Sequence, residues 1–115
     1  MAKKPGKILP CDKSAEQSVL GSVLLTPKAL LHVAPILDVD DFFIPQHQII
    51  YQAVIDLFNQ GKHVDMVTVG NLVKNHENVD LVYLASLTDT IPFVANIESY
   101  ASIVRVHSVK RKLIL

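Results

Sequence analysis

The sequence predicts an all-α domain, a six-helix head whose last helix is long and runs on to the C-terminus. Three observations predict it. Apolar residues recur at helical i, i+3, i+4 and i+7 spacing along most of the chain. Proline, glycine, aspartate and threonine fall between those segments, where helices start and stop. There is no strand alternation, internal repeat or low-complexity stretch.

Each element has its own local signals. Residues 1–13 read as a flexible, extended lead-in, because Pro5, Gly6 and Pro10 break helices and Lys3, Lys4 and Lys7 are solvated. The globular head spans residues 14–94. Its first helix is expected to open at Ser14, with Ser14 and Gln17 at capping-box spacing, and to carry Val19, Leu20, Val23 and Leu24 on one face. Gly21 inside it costs up to ~1 kcal/mol relative to alanine, which close approach of another backbone would offset. Thr26-Pro27 ends that helix and opens a second, with Leu30, Leu31 and Ala34 as its apolar face and Pro35 as its stop. The stretch from Asp38 to Phe43 is a connection with one helical turn, and Phe42 and Phe43 are both expected to fill the core.

Pro45 opens the strongest helix, running to about Gln60. His47, Ile50, Tyr51, Val54, Leu57 and Phe58 line one face, and Gly61 is placed to cap the end at positive φ. Asp65 caps a fourth helix with Val69, Leu72, Val73 and His76 inward. Its start, Met66-Val67-Thr68-Val69, reads as strand by propensity, but Leu72 and Val73 continue a 3.6-residue period. Asp80 caps a fifth helix carrying Leu81, Leu84, Ala85 and Leu87, and Thr88 to Pro92 reads as a loop. The sixth helix starts near Asn96, within a final segment 95–115. It has two apolar stripes, Ile97, Tyr100, Ala101 and Val104 on one side and Ile103, Val106, Val109 and Leu113 on another. A helix apolar on two sides must be covered on two sides, and the domain itself can cover only one.

Composition narrows the function. The chain has 115 residues and a mass of 12.7 kDa, enough for one domain with its own core. Half of the residues are hydrophobic and the mean hydropathy is +0.31, which excludes a disordered chain. Lys+Arg and Asp+Glu are both 11, so there is no basic excess for phosphate contact, and self-association or partner binding is the expectation. Cys11 is the single cysteine, which excludes an internal disulfide, argues against a zinc site and fits a reducing compartment. No apolar run is long enough to span a membrane, so a membrane partner is not expected.

No catalytic constellation is present. There is no GxxxxGK[ST] phosphate loop, no GxGxxG and no HExxH, so catalytic, cofactor-binding and metal residues are all expected to be none. His32, His47, His63, His76 and His107 include no pair at i, i+4 spacing. His47 on an apolar face reads as a satisfied core histidine. Asp38, Asp40 and Asp41 read as turn and cap residues, since they lack the glycine and distal glutamate of a calcium loop. Arg105, Lys110, Arg111 and Lys112 read first as cations complementing a helix C-terminus, and second as a path for nucleic acid or a junction to a further domain. Tyr83 is either a core residue or an exposed anchor.

The order of motifs says more than any one of them. Pro10 is followed by Ala15-Glu16-Gln17, Val19-Leu20-Gly21 and Leu24-Leu25. Asp41-Phe42-Phe43, His47, Ile50-Tyr51 and Ala53-Val54 come next, then Leu57, Gly61, Val64-Asp65, Val67-Thr68-Val69 and Leu72. The end reads Tyr83-Leu84-Ala85-x-Leu87, Asn96-Ile97, Tyr100-Ala101, Ile103-Val104, Ser108, Arg111 and Leu113-Ile114. From Pro10 to Leu115 this closely resembles the N-terminal domain of the DnaB-type replicative DNA helicase. One stretch departs from the pattern: the connection Asn75–Asp80 is short and lacks the Gly-Gly that many members carry before the Tyr-Leu pair.

The resemblance implies a helical head followed by a helical hairpin, with hairpins of neighbouring subunits pairing and a hexameric ring built as three pairs. The sixth helix would be the first arm of that hairpin, truncated at Leu115. A linker would lead to a RecA-like motor domain, absent here, that holds ATP and Mg and is the route of DNA contact. The collar would dock the C-terminal domain of primase and is a candidate site for a helicase loader, in a cytoplasmic replisome. Tyr83 would lie where primase docks, and Ile103, Val106, His107 and Val109 would serve self-association. The rival readings are a free-standing adaptor or helicase regulator of the same fold without a motor domain, an enzyme with an unseen site, and DNA binding through the basic end of the last helix.

Overall fold

The computed structural model describes residues 9–89 and 96–114. Among them are six α-helices and no strand, as the periodicity predicts: α1 (Lys13–Leu25), α2 (Leu30–Val33), α3 (Pro45–Asn59), α4 (Met66–Leu72), α5 (Leu81–Asp89) and α6 (Ile97–Ile114). Single 3-10 turns at Pro27–Ala29 and Val39–Asp41 join them. Most of the lead-in and the end of the 88–92 segment lie outside the described residues.

Helix α1 is the hub, touching α3, α5 and α6. It opens one residue before the expected start. Asp12, not Ser14, is the N-cap, and its carboxylate accepts the Ala15 N–H at 3.0 Å. Ala15, Val19, Leu20, Val23 and Leu24 are buried on it, and Gly21 is buried among them. The expected face of α2 is rotated. Leu31 and Ala34 are exposed, while Ala29, Leu30 and Val33 are buried. The cause is the 3-10 turn at Pro27–Ala29, which advances by three residues per turn and so shifts the phase of α2. Phe42 fills the core, but Phe43 does not and is 39% exposed. Phe42 leaves its turn in extended geometry (φ −77°, ψ 133°), so the next side chain points the opposite way.

Helix α3 matches its pattern, with His47, Ile50, Tyr51, Ala53, Val54 and Leu57 buried and Phe58 partly so. It ends in a Schellman motif. Gly61, at φ +70°, donates to the Phe58 carbonyl at 3.1 Å, and Lys62 donates to Leu57 at 2.9 Å. Helix α4 is a helix and not a strand, because Asp65 and Thr68 close a capping box around its first turn. It stops at Leu72, too short for a broad stripe, so only Val69 and Val73 are buried while Leu72 and His76 face outward. On α5, Leu84 and Leu87 are buried and Leu81 is exposed. Thr88 and Asp89 extend this helix rather than starting a loop, with the Thr88 hydroxyl donating to the Ala85 carbonyl at 2.8 Å.

Helix α6 lies against α1, α2 and the 39–41 turn. Ile97, Ala101 and Val104 enter the core, and Ser108 and Arg111 continue the same buried line.

Gly61→Ala is expected to destabilise the domain by about 1–2 kcal/mol through backbone strain alone, since an added Cβ there would meet nothing within 4 Å. A urea-melt midpoint equal to wild type would remove the strain argument.

Candidate interaction surfaces

Two buried carboxylates organise the helix junctions. Glu16 on α1 is 1% exposed, and its side chain reaches the start of α3. Its Oε2 accepts the Phe43 N–H at 2.8 Å, and its Oε1 accepts the Ile44 N–H at 3.4 Å. An anion at a helix N-terminus is favoured by the helix dipole. The same Oε1 lies 2.7 Å from Nδ1 of His47, which is itself fully buried. On the far side of that imidazole, Nε2 lies 2.6 Å from the Tyr83 hydroxyl. The His47 and Tyr83 rings are near parallel, 17° apart in plane with centroids 5.9 Å apart. His47 is therefore a satisfied core histidine, and it is also the link between α1 and α5.

Asp41 is the second buried carboxylate. Its Oδ2 accepts the Asp38 N–H at 2.7 Å. Its Oδ1 accepts from Ser108 Oγ at 2.7 Å and Arg105 Nη1 at 2.9 Å, with Lys112 Nζ 3.7 Å away. Burial alone would raise the carboxyl pKa, but these hydrogen bonds and the Arg105 charge outweigh it and hold it below the ordinary value. Arg111 completes the junction. It donates to the Asp41 carbonyl at 2.7 Å and to the Pro10 carbonyl at 2.9 Å, with its guanidinium 5.1 Å from the Phe43 ring centroid. Tyr51, buried nearby, donates to the Leu37 carbonyl at 2.9 Å, and burial, aided by Asp38 and Asp41, pushes its hydroxyl up to about 12.

These contacts reassign several residues. Arg105 and Arg111 bind the 41 position, with Lys112 3.7 Å from the same carboxylate, so these three cations do more than complement the helix end. Carboxylate oxygens of Asp38, Asp40 and Asp41 come within 4.8 Å of one another, but Asp41 is already taken up by protein donors, which fits turn and cap roles better than a metal. Among the described residues no helix is long and apolar enough to cross a membrane.

The second stripe of α6 is open. Ile103, Val106, Val109 and Leu113 are 37%, 49%, 39% and 81% exposed. His107, half-buried, donates from Nδ1 to the Ile103 carbonyl at 2.9 Å, so this ring nitrogen is engaged with its own helix. Tyr83 stands apart from that stripe. It is partly buried against the core, its backbone N–H is capped by Asp80 at 2.9 Å, and its hydroxyl is tied to His47. It is thus neither a wholly buried residue nor a free anchor.

The model of the DnaB-like helicase N terminal domain family matches residues 8–106. The chain belongs to this family. It is 40% identical over 112 residues to the replicative DNA helicase DnaB of Geobacillus stearothermophilus, covering 94% of this chain and 25% of that one. The chain thus spans about a quarter of the length of the curated relatives it matches. The crystal structure of the N-terminal domain of DnaB helicase from Mycobacterium tuberculosis superposes with a TM-score of 0.88 at 38% identity, covering 93% of this chain and 79% of that domain. The N-terminal domain of DnaB helicase from Helicobacter pylori, described with its interactions with primase, shares the fold at a TM-score of 0.77 and 22% identity, covering 87% of this chain and 80% of that one. The two buried carboxylate clusters and the open α6 stripe are thus features of a DnaB-like N-terminal domain.

Asp41→Asn is expected to lower stability at pH 7 by about 1–3 kcal/mol. The folded carboxyl titrates below its unfolded value. The unfolded chain therefore takes up protons first, and the stabilisation is complete above about pH 5 and lost as pH falls through the folded value. The gap between the wild-type and variant melting temperatures should narrow as pH falls below the ordinary carboxylate range. A gap independent of pH would contradict this linkage.

Proposed function

We propose that this domain is a collar and docking module of a hexameric replicative DNA helicase. It acts by binding. Its membership of the DnaB-like N-terminal family carries the reading, supported by the H. pylori domain of the same fold and its interactions with primase. The partner is the C-terminal domain of primase, held close to the emerging single strand so that its effective concentration there is raised. A helicase loader is a further candidate partner. ATP, Mg and DNA contact belong to a motor domain, and this domain contributes no turnover.

Two surfaces divide the work in this reading. The α6 stripe pairs with a second helix, either the other arm of a hairpin or a second copy of this chain. Its four exposed apolar side chains support that, because water contact along a whole helical stripe is unfavourable. Tyr83 serves primase. Aromatic side chains with a rigid ring and a polar end are common anchors at interface centres.

Titrating the chain with the primase C-terminal domain should give measurable binding, and Tyr83→Ala should weaken it about tenfold or more. Unchanged affinity would remove Tyr83 from the docking site. Val106→Asp should abolish concentration-dependent self-association in sedimentation while leaving the helical circular-dichroism signal intact. Undiminished self-association in the variant would exclude the stripe.

A further inference from the structure

Glu16, His47 and Tyr83 form a polar line that spans three helices, with contacts of 2.7 and 2.6 Å. The donors already present fix the proton at its Glu16 end. Glu16 accepts two backbone N–H groups, and a carboxylate has no proton to give. The hydrogen between Glu16 and His47 is then on Nδ1. On the other side of the ring the Tyr83 hydroxyl oxygen is held 2.6 Å from Nε2, so the hydroxyl is engaged inside the core. A tyrosine side chain is set by two torsions, and here the hydroxyl bond fixes the far end of a ring that lies within 17° of the imidazole plane.

We propose that Glu16 and His47 are positioning residues for Tyr83. They hold the ring in one rotamer with its hydroxyl engaged in the core, so that a partner meets a preset aromatic surface. The inference rests on the reading that Tyr83 docks the primase C-terminal domain. It adds the chemistry of the contact. The matching partner group is apolar or cationic, suited to an aromatic ring whose hydroxyl is already engaged by His47. Fixing the side chain before binding removes the entropy loss that a free tyrosine would suffer on docking.

The test uses the 115-residue chain and the primase C-terminal domain, with affinities measured by calorimetry under conditions where each variant remains helical. Tyr83→Phe keeps the ring and cuts the tether. His47→Leu cuts it from the other side at similar volume. Each should weaken binding about two- to tenfold, and the double variant should be no weaker than His47→Leu alone, because both remove the same restraint. Three-bond couplings at position 83 of the unbound chain should change from single-rotamer to averaged values. A residue that only supports the fold would change the melting temperature and move neither readout. Wild-type affinity for Tyr83→Phe, or single-rotamer couplings kept after it, overturns the positioning role. Tyr83→Phe alone decides the matter should His47→Leu not fold. Loss of binding in Tyr83→Ala with none in Tyr83→Phe overturns positioning and leaves the docking reading intact, whereas no loss in Tyr83→Ala overturns both.

Discussion

A carboxylate shut away from water must be answered by donors, and this domain is arranged around two such demands. Glu16 is answered by the backbone at the start of α3 and by His47. Asp41 is answered by its own turn and by α6. In both cases donors come from distant parts of the sequence, so satisfying the charge fixes how helices meet. An apolar core tolerates small slips, because hydrophobic contact is not directional. A hydrogen bond of 2.7 Å does not. Leu20, Val23, Ile50, Val54 and Leu84 supply the burial, while the two carboxylates set the angles and registers at which that burial occurs.

The same logic separates what the domain keeps inside from what it leaves out. On α6 the line of Ile97, Ala101, Val104, Ser108 and Arg111 is consumed by the head, ending in two polar residues that meet the 41 position. The line of Ile103, Val106, Val109 and Leu113 is only partly covered by the described chain and stays in contact with water. Because the first line is held by directional bonds, α6 cannot roll to hide the second one. An assembly surface of fixed orientation results, on a helix whose axis the head has already set.

Much of this is legible in the sequence, for local reasons. The Asp65, Asp80 and Gly61 signals work within a few residues of themselves, and the 3.6-residue period of α3 and α6 needs no knowledge of neighbours. The phase of α2 is not legible because a 3-10 turn precedes it, and sequence spacing assumes one helical type throughout. The polar clusters are only half legible. Glu16 falls in step with Val19, Leu20 and Val23, and His47 with Ile50, Tyr51 and Val54, so both break apolar stripes at core positions. A polar residue at such a position announces that a partner exists. Which partner it is depends on elements 31 or 36 residues away, and a single sequence carries no record of that. Arg105 and Arg111 look like helix-end charges for the same reason, since Asp41 is 64 residues before one and its carbonyl 70 before the other.

The Arg111 bridge to the Pro10 carbonyl joins positions 101 residues apart. It has a consequence for the order of events during synthesis. As the polypeptide leaves the ribosome, α1, α3, α4 and α5 can assemble on one another, but the flank of α1 that α6 covers stays bare until the final turns of α6 clear the exit tunnel. Emergence of those residues fastens the N-terminal side of the head to the last turns of α6. The nascent head is thus most vulnerable to sticking to its neighbours just before that clasp closes, and a pause in translation shortly before Arg111 would prolong the hazard.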